Sequence, residues 1–119
     1  MIIKTSQFNA LGEEMFKQFL NDLTVEMIAK YPNWMGNENY SQKCAVVKSL
    51  AEYGQGINIT ETDSLSKFVN HLICFNQNIP LNFGIVNELK NVNVDEEIRI
   101  ERLFFHLASD REKLILIEI

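Results

Sequence analysis

His71 and His106 are the only histidines of this chain, and Cys44 and Cys74 its only cysteines. An imidazole can act as a general base, a thiolate as a nucleophile, and the two together as zinc ligands. Each of these roles needs several groups to converge, and no two of the four residues share a short motif. His71 stands beside Leu72 and His106 follows Phe104 and Phe105, so both read as histidines at the margin of a core. A reactive cysteine needs a base and a setting that stabilises its thiolate. Lys43 adjoins Cys44, but consecutive residues of a helix point to different faces. Ile73 and Phe75 flank Cys74. Both cysteines read as buried, structural free thiols of a reducing compartment, with a disulfide left open.

The remaining chemical candidates are weaker. Glu96, Glu97 and Glu101, with Arg99 and Arg102, have the spacing of a solvated helix face rather than of a carboxylate pair set for acid–base work. Gly54-Gln55-Gly56 is too short for a phosphate loop and lacks the Lys-Ser or Lys-Thr that would follow one. The expectation is a protein that is not an enzyme and has no catalytic residue, metal or cofactor. What is left is surface. Trp34, Met35 and Tyr40 fall in a polar loop, where aromatics can anchor an interface; Trp34 can equally fold back over the end of the first helix.

The elements that would carry these residues follow from apolar periodicity. Phe8, Leu11, Met15, Phe16, Phe19, Leu20, Leu23, Met27 and Ile28 recur at three- and four-residue steps, which predicts a helix from Ser6 to Tyr31, stopped by Pro32. Residues 32–40 read as a loop. Ser41 is the expected cap of a second helix bearing Cys44, Val47, Leu50 and Ala51, with Gly54 and Gly56 as a left-handed C-terminal cap. A third helix follows Thr60 or Thr62 as cap and buries Leu65, Phe68, Val69, Leu72, Ile73 and Phe75. A short fourth helix spans about Asn82 to Lys90, led by Phe83, Val86 and Leu89. Asn93 or Asp95 caps the last one, with Ser109-Asp110 as its expected break. The tail Leu114–Ile119 either continues as a docked helix or runs as a short strand beside Met1–Ile3. Leu114, Leu116, Ile117 and Ile119 join Trp34 and Tyr40 as candidate partner-binding residues.

The fold expected is therefore all-α, one domain over residues 1–119, built as a compact bundle of four to five helices with that tail helical or strand-like. Its 119 residues suffice for a core without staples, and 46% apolar against 23% charged residues is ordinary for a globular chain. Eleven basic residues against sixteen acidic ones leave a net charge of −5, and no basic cluster suits nucleic acid or an anionic membrane. No signal peptide or membrane span is read, so a cytoplasmic location and a protein partner are expected.

Several pieces of the chain stand together in a suggestive order. Gln7, Leu11 and Phe16 precede a helix ending at Pro32; Tyr53-Gly54 precedes Thr60-Glu61-Thr62-Asp63 and Phe68-Val69; Phe83, Ile85 and Leu89 precede Asp95-Glu96-Glu97 and Arg102-Leu103. In this order the chain resembles small helical proteins encoded beside spike, adaptor and effector genes of bacterial type VI secretion clusters. It departs from that pattern at Gln55-Gly56, which intervene before Ile57. The resemblance implies an adaptor or co-chaperone that binds an effector or its adaptor for loading onto the spike. The alternative for a small acidic protein is a cytoplasmic immunity protein that neutralises a toxin by masking it.

Overall fold

The computed structural model describes the backbone of residues 13–118 and the side chains of residues 13–109. Among the described residues five helices follow one another: α1 (Glu13–Lys30), α2 (Tyr40–Gly56), α3 (Thr62–Cys74), α4 (Phe83–Lys90) and α5 (Glu96–Glu118). No strand occurs among the described residues, so the fold is an all-α bundle. Helix α3 is its centre. It packs on α1, α2 and α5, while α2 also lies along α1 and α5 along α4.

The sequence stripe of α3 is the axis of the core, with Leu65, Phe68, Val69 and Leu72 wholly excluded from solvent. Leu20, Leu23 and Met27 from α1 and Val47, Leu50 and Ala51 from α2 close on one side. Ile85 and Leu89 from α4 and Ile100, Leu103 and Leu107 from α5 close on the other. Phe83, expected to lead the apolar face of α4, is instead 80% exposed. Ile85 and Leu89, four residues apart, take the core face, and Phe83 falls in the first turn outside it.

Several caps differ from expectation. Helix α2 begins at Tyr40 and is capped by Asn39, not Ser41. Asn39 Oδ1 accepts from the Gln42 amide at 2.9 Å, and Gln42 Oε1 accepts from the Asn39 amide at 3.0 Å. This reciprocal pair needs an amide or acid three residues beyond the cap; Gln42 supplies it for Asn39, whereas Ser41 has only Cys44 there. Neither Thr60 nor Thr62 caps α3. Glu61 holds that position without a side-chain cap bond, and a carboxylate from α5 binds the backbone that leads into the helix. Glu96 Oε1 accepts from the amides of Thr60 at 2.8 Å and Glu61 at 3.1 Å, while Oε2 accepts from Thr60 Oγ1 at 2.8 Å. Asp95 immediately precedes α5, and its carbonyl accepts from the Arg99 amide.

The glycines of α2 do not end it in a left-handed turn. Both are helical; Ile57 follows as the cap, and Asn58 adopts φ 69°. The amide of Asn58 donates to Gln55 and that of Ile59 to Gly54, the paired reverse bonds that close a helix end. Gly54 serves packing: a Cβ there would lie 2.8 Å from Leu65 Cδ1 and 2.9 Å from Phe68 Cδ2. Its hydrogen lets α2 approach α3.

Helix α5 does not break at Ser109-Asp110 but runs to Glu118, so the tail is helical rather than a strand. No Pro or Gly occurs after residue 95, and Ser and Asp each cost only about 0.5 kcal/mol inside a helix. Met1–Ile3, the proposed strand partner, and residues 6–12 of the expected first helix lie outside the described residues.

Candidate functional site

A groove of about 540 Å³ lies between α2 and the end of α3. Its floor is Leu50, Leu72 and Ile73, all buried. Ala45, Val46 and Ser49 of α2 form one wall. Asn76, Gln77, Asn78 and Ile79 form the other, and Trp34 with Met35 enters from the α1–α2 loop. None of these lining side chains carries a formal charge.

Backbone geometry builds the walls. Asn76 follows α3 in the left-handed region at φ 51°, its amide donating to Ile73 and that of Gln77 to Leu72. Asn tolerates this conformation where most residues do not. Gln77 Nε2 donates back to the Phe75 carbonyl at 3.1 Å. Just past the wall, Tyr53 of α2 accepts the Leu81 amide in its hydroxyl at 3.0 Å, which pins the crossing chain to α2. Met35 and Gly36 turn the opposite loop through φ 61° and 54°.

Of the two residues expected to meet a partner whose side chains are described, Trp34 and Tyr40, Trp34 lines this groove. It is half-buried against the core, so it both covers the bundle and presents a face to the groove. Tyr40 belongs elsewhere. It is exposed, and its hydroxyl donates to Asn21 Oδ1 at 2.9 Å. Asn21 lines a second cleft, of about 470 Å³ between α1 and α2, with Phe16, Lys17, Cys44 and Lys48. Leu114, Leu116 and Ile117 lie on the last turns of α5, where only the backbone is described, and Ile119 lies outside the described residues.

The candidate chemical residues are dispersed. His71 is half-buried, its ring 5.3 Å from that of Phe104, in a shallow pocket with Lys67, Glu97 and Glu101. Burial lowers its pKa, helped by Lys67 and Lys30, so the ring is neutral at pH 7. His106 does not line that pocket; its Nε2 is 2.7 Å from Glu88 Oε2 on α4, both side chains about half exposed. Cys44 and Cys74 are free thiols, each of intermediate exposure rather than fully buried. No group of three or more His, Cys, Asp or Glu suited to a metal occurs among the described residues. No helix among them is long and apolar enough to cross a membrane.

The wall at residues 76–79 and the α2 face at Val46 and Ser49 were not singled out in the sequence. Asn76-Gln77-Asn78 signals only the end of α3. That it crosses α2 depends on the Tyr53–Leu81 bond, between residues 28 apart.

Fold and groove together make a small all-α bundle with one concave face lined by uncharged side chains. Comparisons of the chain found no matching protein-family model, no matching curated protein and no matching solved structure.

Proposed function

We propose that this chain is a non-enzymatic protein-binding helper, an adaptor or co-chaperone that holds a type VI secretion effector, or its adaptor, for loading onto the spike. The observation that carries the binding role is the groove at Trp34: uncharged walls over a buried apolar floor, with a few polar groups at its edge. Ligand surfaces have this make-up and a volume of about 300–1,000 Å³. The secretion setting rests on the order of sequence features from Gln7 to Leu103. The role asks for no metal or cofactor and for a cytoplasmic protein that meets its partner before export.

The test is a pull-down of tagged full-length protein from its native cytoplasm, with mass spectrometry of the captured proteins. Capture of an adaptor, spike protein or effector is the expected result. Capture of a toxin domain alone, with survival of toxin-expressing cells only when this chain is present, would replace loading by immunity. Capture of nothing by an accessible tag would sink both.

A further inference from the structure

We propose that the outer face of α5 docks a second copy of this chain, the two helices running antiparallel about a twofold axis midway between Glu101 and Arg102. The face takes no part in the groove, so the inference stands or falls independently of the function proposed above.

The face is defined by what α5 does not bury. The helix packs on α3 and α4, and Arg99, Ile100, Leu103 and Leu107 are its buried residues on that side. Opposite them stand Ile98, Glu101, Arg102 and Phe105, at the i, i+3, i+4, i+7 spacing of a single helix face. All four are exposed, Ile98 by 42% and Phe105 by 63%. Neither Glu101 nor Arg102 has an ion-pair partner among the described residues. Two large apolar groups thus bracket an unlike, unpaired charge pair.

That order is its own complement. Ile98 and Phe105 are equidistant from the axis, and so are Glu101 and Arg102. In an antiparallel pair, Ile98 of one protomer therefore stands level with the partner's Phe105, and Glu101 with the partner's Arg102. The twofold makes each contact twice. At the separation of packed helices, about 8–10 Å between axes, side chains at these positions meet. A parallel copy would set Glu101 against Glu101 and Arg102 against Arg102, which repel. The chain carries −5, a charge that opposes indiscriminate self-association. Local pairing of unlike charges selects this one face and this one direction. A seam of four residues belongs to the small, transient class of interface, so dissociation constants of about 10 µM to 1 mM are expected.

Sedimentation velocity on the full chain, over that concentration range, tests the proposal with charge reversals. The wild-type chain should pass from monomer to dimer. Glu101→Arg and Arg102→Glu each turn two attractive contacts into two repulsive ones, and each alone should weaken the dimer at least about tenfold. Mixed in equal amounts, the two variants should pair with each other, because every arginine of one then meets a glutamate of the other. The chain carrying both reversals should dimerise as the wild type does. Both positions are exposed, so circular dichroism should match the wild type throughout. Phe105→Ser, which removes the apolar contact and keeps the charges, should also weaken the dimer.

A wild-type chain that stays monomeric to about 1 mM overturns the inference. So does a dimer indifferent to both single reversals, which would place the contact on another face. Single reversals that dissociate the dimer but fail to pair when mixed would overturn the antiparallel register. A monomeric wild-type chain that loses a captured protein on Arg102→Glu would give the face to that protein instead of a second copy.

Discussion

Arg99 on α5 donates through Nη1 to the backbone carbonyl of Asn58 at 3.1 Å, and Asn58 Nδ2 donates in turn to the carbonyl of Lys90 at 3.1 Å. The pair joins the end of α2 to the end of α4. The same guanidinium also donates to the carbonyls of Leu89 and Val94. Arg99 is only 5% exposed, and no carboxylate lies within ion-pairing distance of it among the described residues. Backbone carbonyls, including those at the negative end of the α4 dipole, compensate its charge instead.

Replacing Arg99 with Met keeps the apolar stem but removes every donor and leaves buried carbonyls short of partners. Hydrogen bonds to a charged group are worth about 1.5–3 kcal/mol each, so Arg99→Met should lower stability by about 3 kcal/mol or more. Urea unfolding should show the midpoint falling with the slope unchanged. A loss under 1 kcal/mol would show that the clamp is dispensable.

The two α2 glycines give opposite outcomes for the same substitution. Gly54→Ala gains up to about 1 kcal/mol of helix propensity but drives a methyl into Leu65 and Phe68, and overpacking of this kind costs about 1–3 kcal/mol. The net effect is destabilising. Gly56 has nothing within 4 Å of its Cβ position, so Gly56→Ala should stabilise by about 0.4–1 kcal/mol. Thermal unfolding of the two variants side by side decides it; a shift of both in one direction would contradict the packing assigned to Gly54.

At the groove wall, Asn76→Ala should cost about 1–2 kcal/mol because alanine resists the left-handed region, whereas Asn76→Gly should be close to neutral. Equal stability of the two variants by chemical denaturation would mean that residue 76 does not hold this conformation in solution.

Acid should weaken the fold through His71. Its folded-state pKa lies below the ordinary 6.5 because burial disfavours the imidazolium. As pH falls below 6.5 the unfolded chain takes up the proton first, so stability is intact above that pH and declines towards the folded-state value. Titration of the His71 ring by NMR should give a midpoint under 6.5, and His71→Gln should flatten the acid limb of the stability curve. A midpoint at or above 6.5 would contradict the burial.

Helix number and the stripe on α3 were legible in the sequence because apolar spacing is a local property set by 3.6 residues per turn. Where several residues compete for one role, local pattern was a weaker guide. Ser41 and Asn39 are both good caps, and Gln42 decides between them. Gly54 looked like a helix end because glycine suits a left-handed turn, but its use is set by Leu65 and Phe68 across the interface. Phe83 looked like core because it is large and apolar, and the register of an eight-residue helix put Ile85 there instead. Trp34 stood out in the sequence by its loop setting, and the structure places it both against the core and at the groove. The opposite wall did not stand out, because a hydroxyl 28 residues away places it.

The hold of Glu96 on the entry to α3 has a kinetic meaning. A segment cut off before residue 96 would retain the whole of α3 yet lack the carboxylate that holds the backbone leading into it, along with the guanidinium that clamps the ends of α2 and α4. The anchoring of the entry to α3 thus waits on a loop closure of 36 residues. Secondary and tertiary structure here should appear together, in a single concerted transition, and the chain emerging from the ribosome should hold no finished sub-bundle until its final helix arrives.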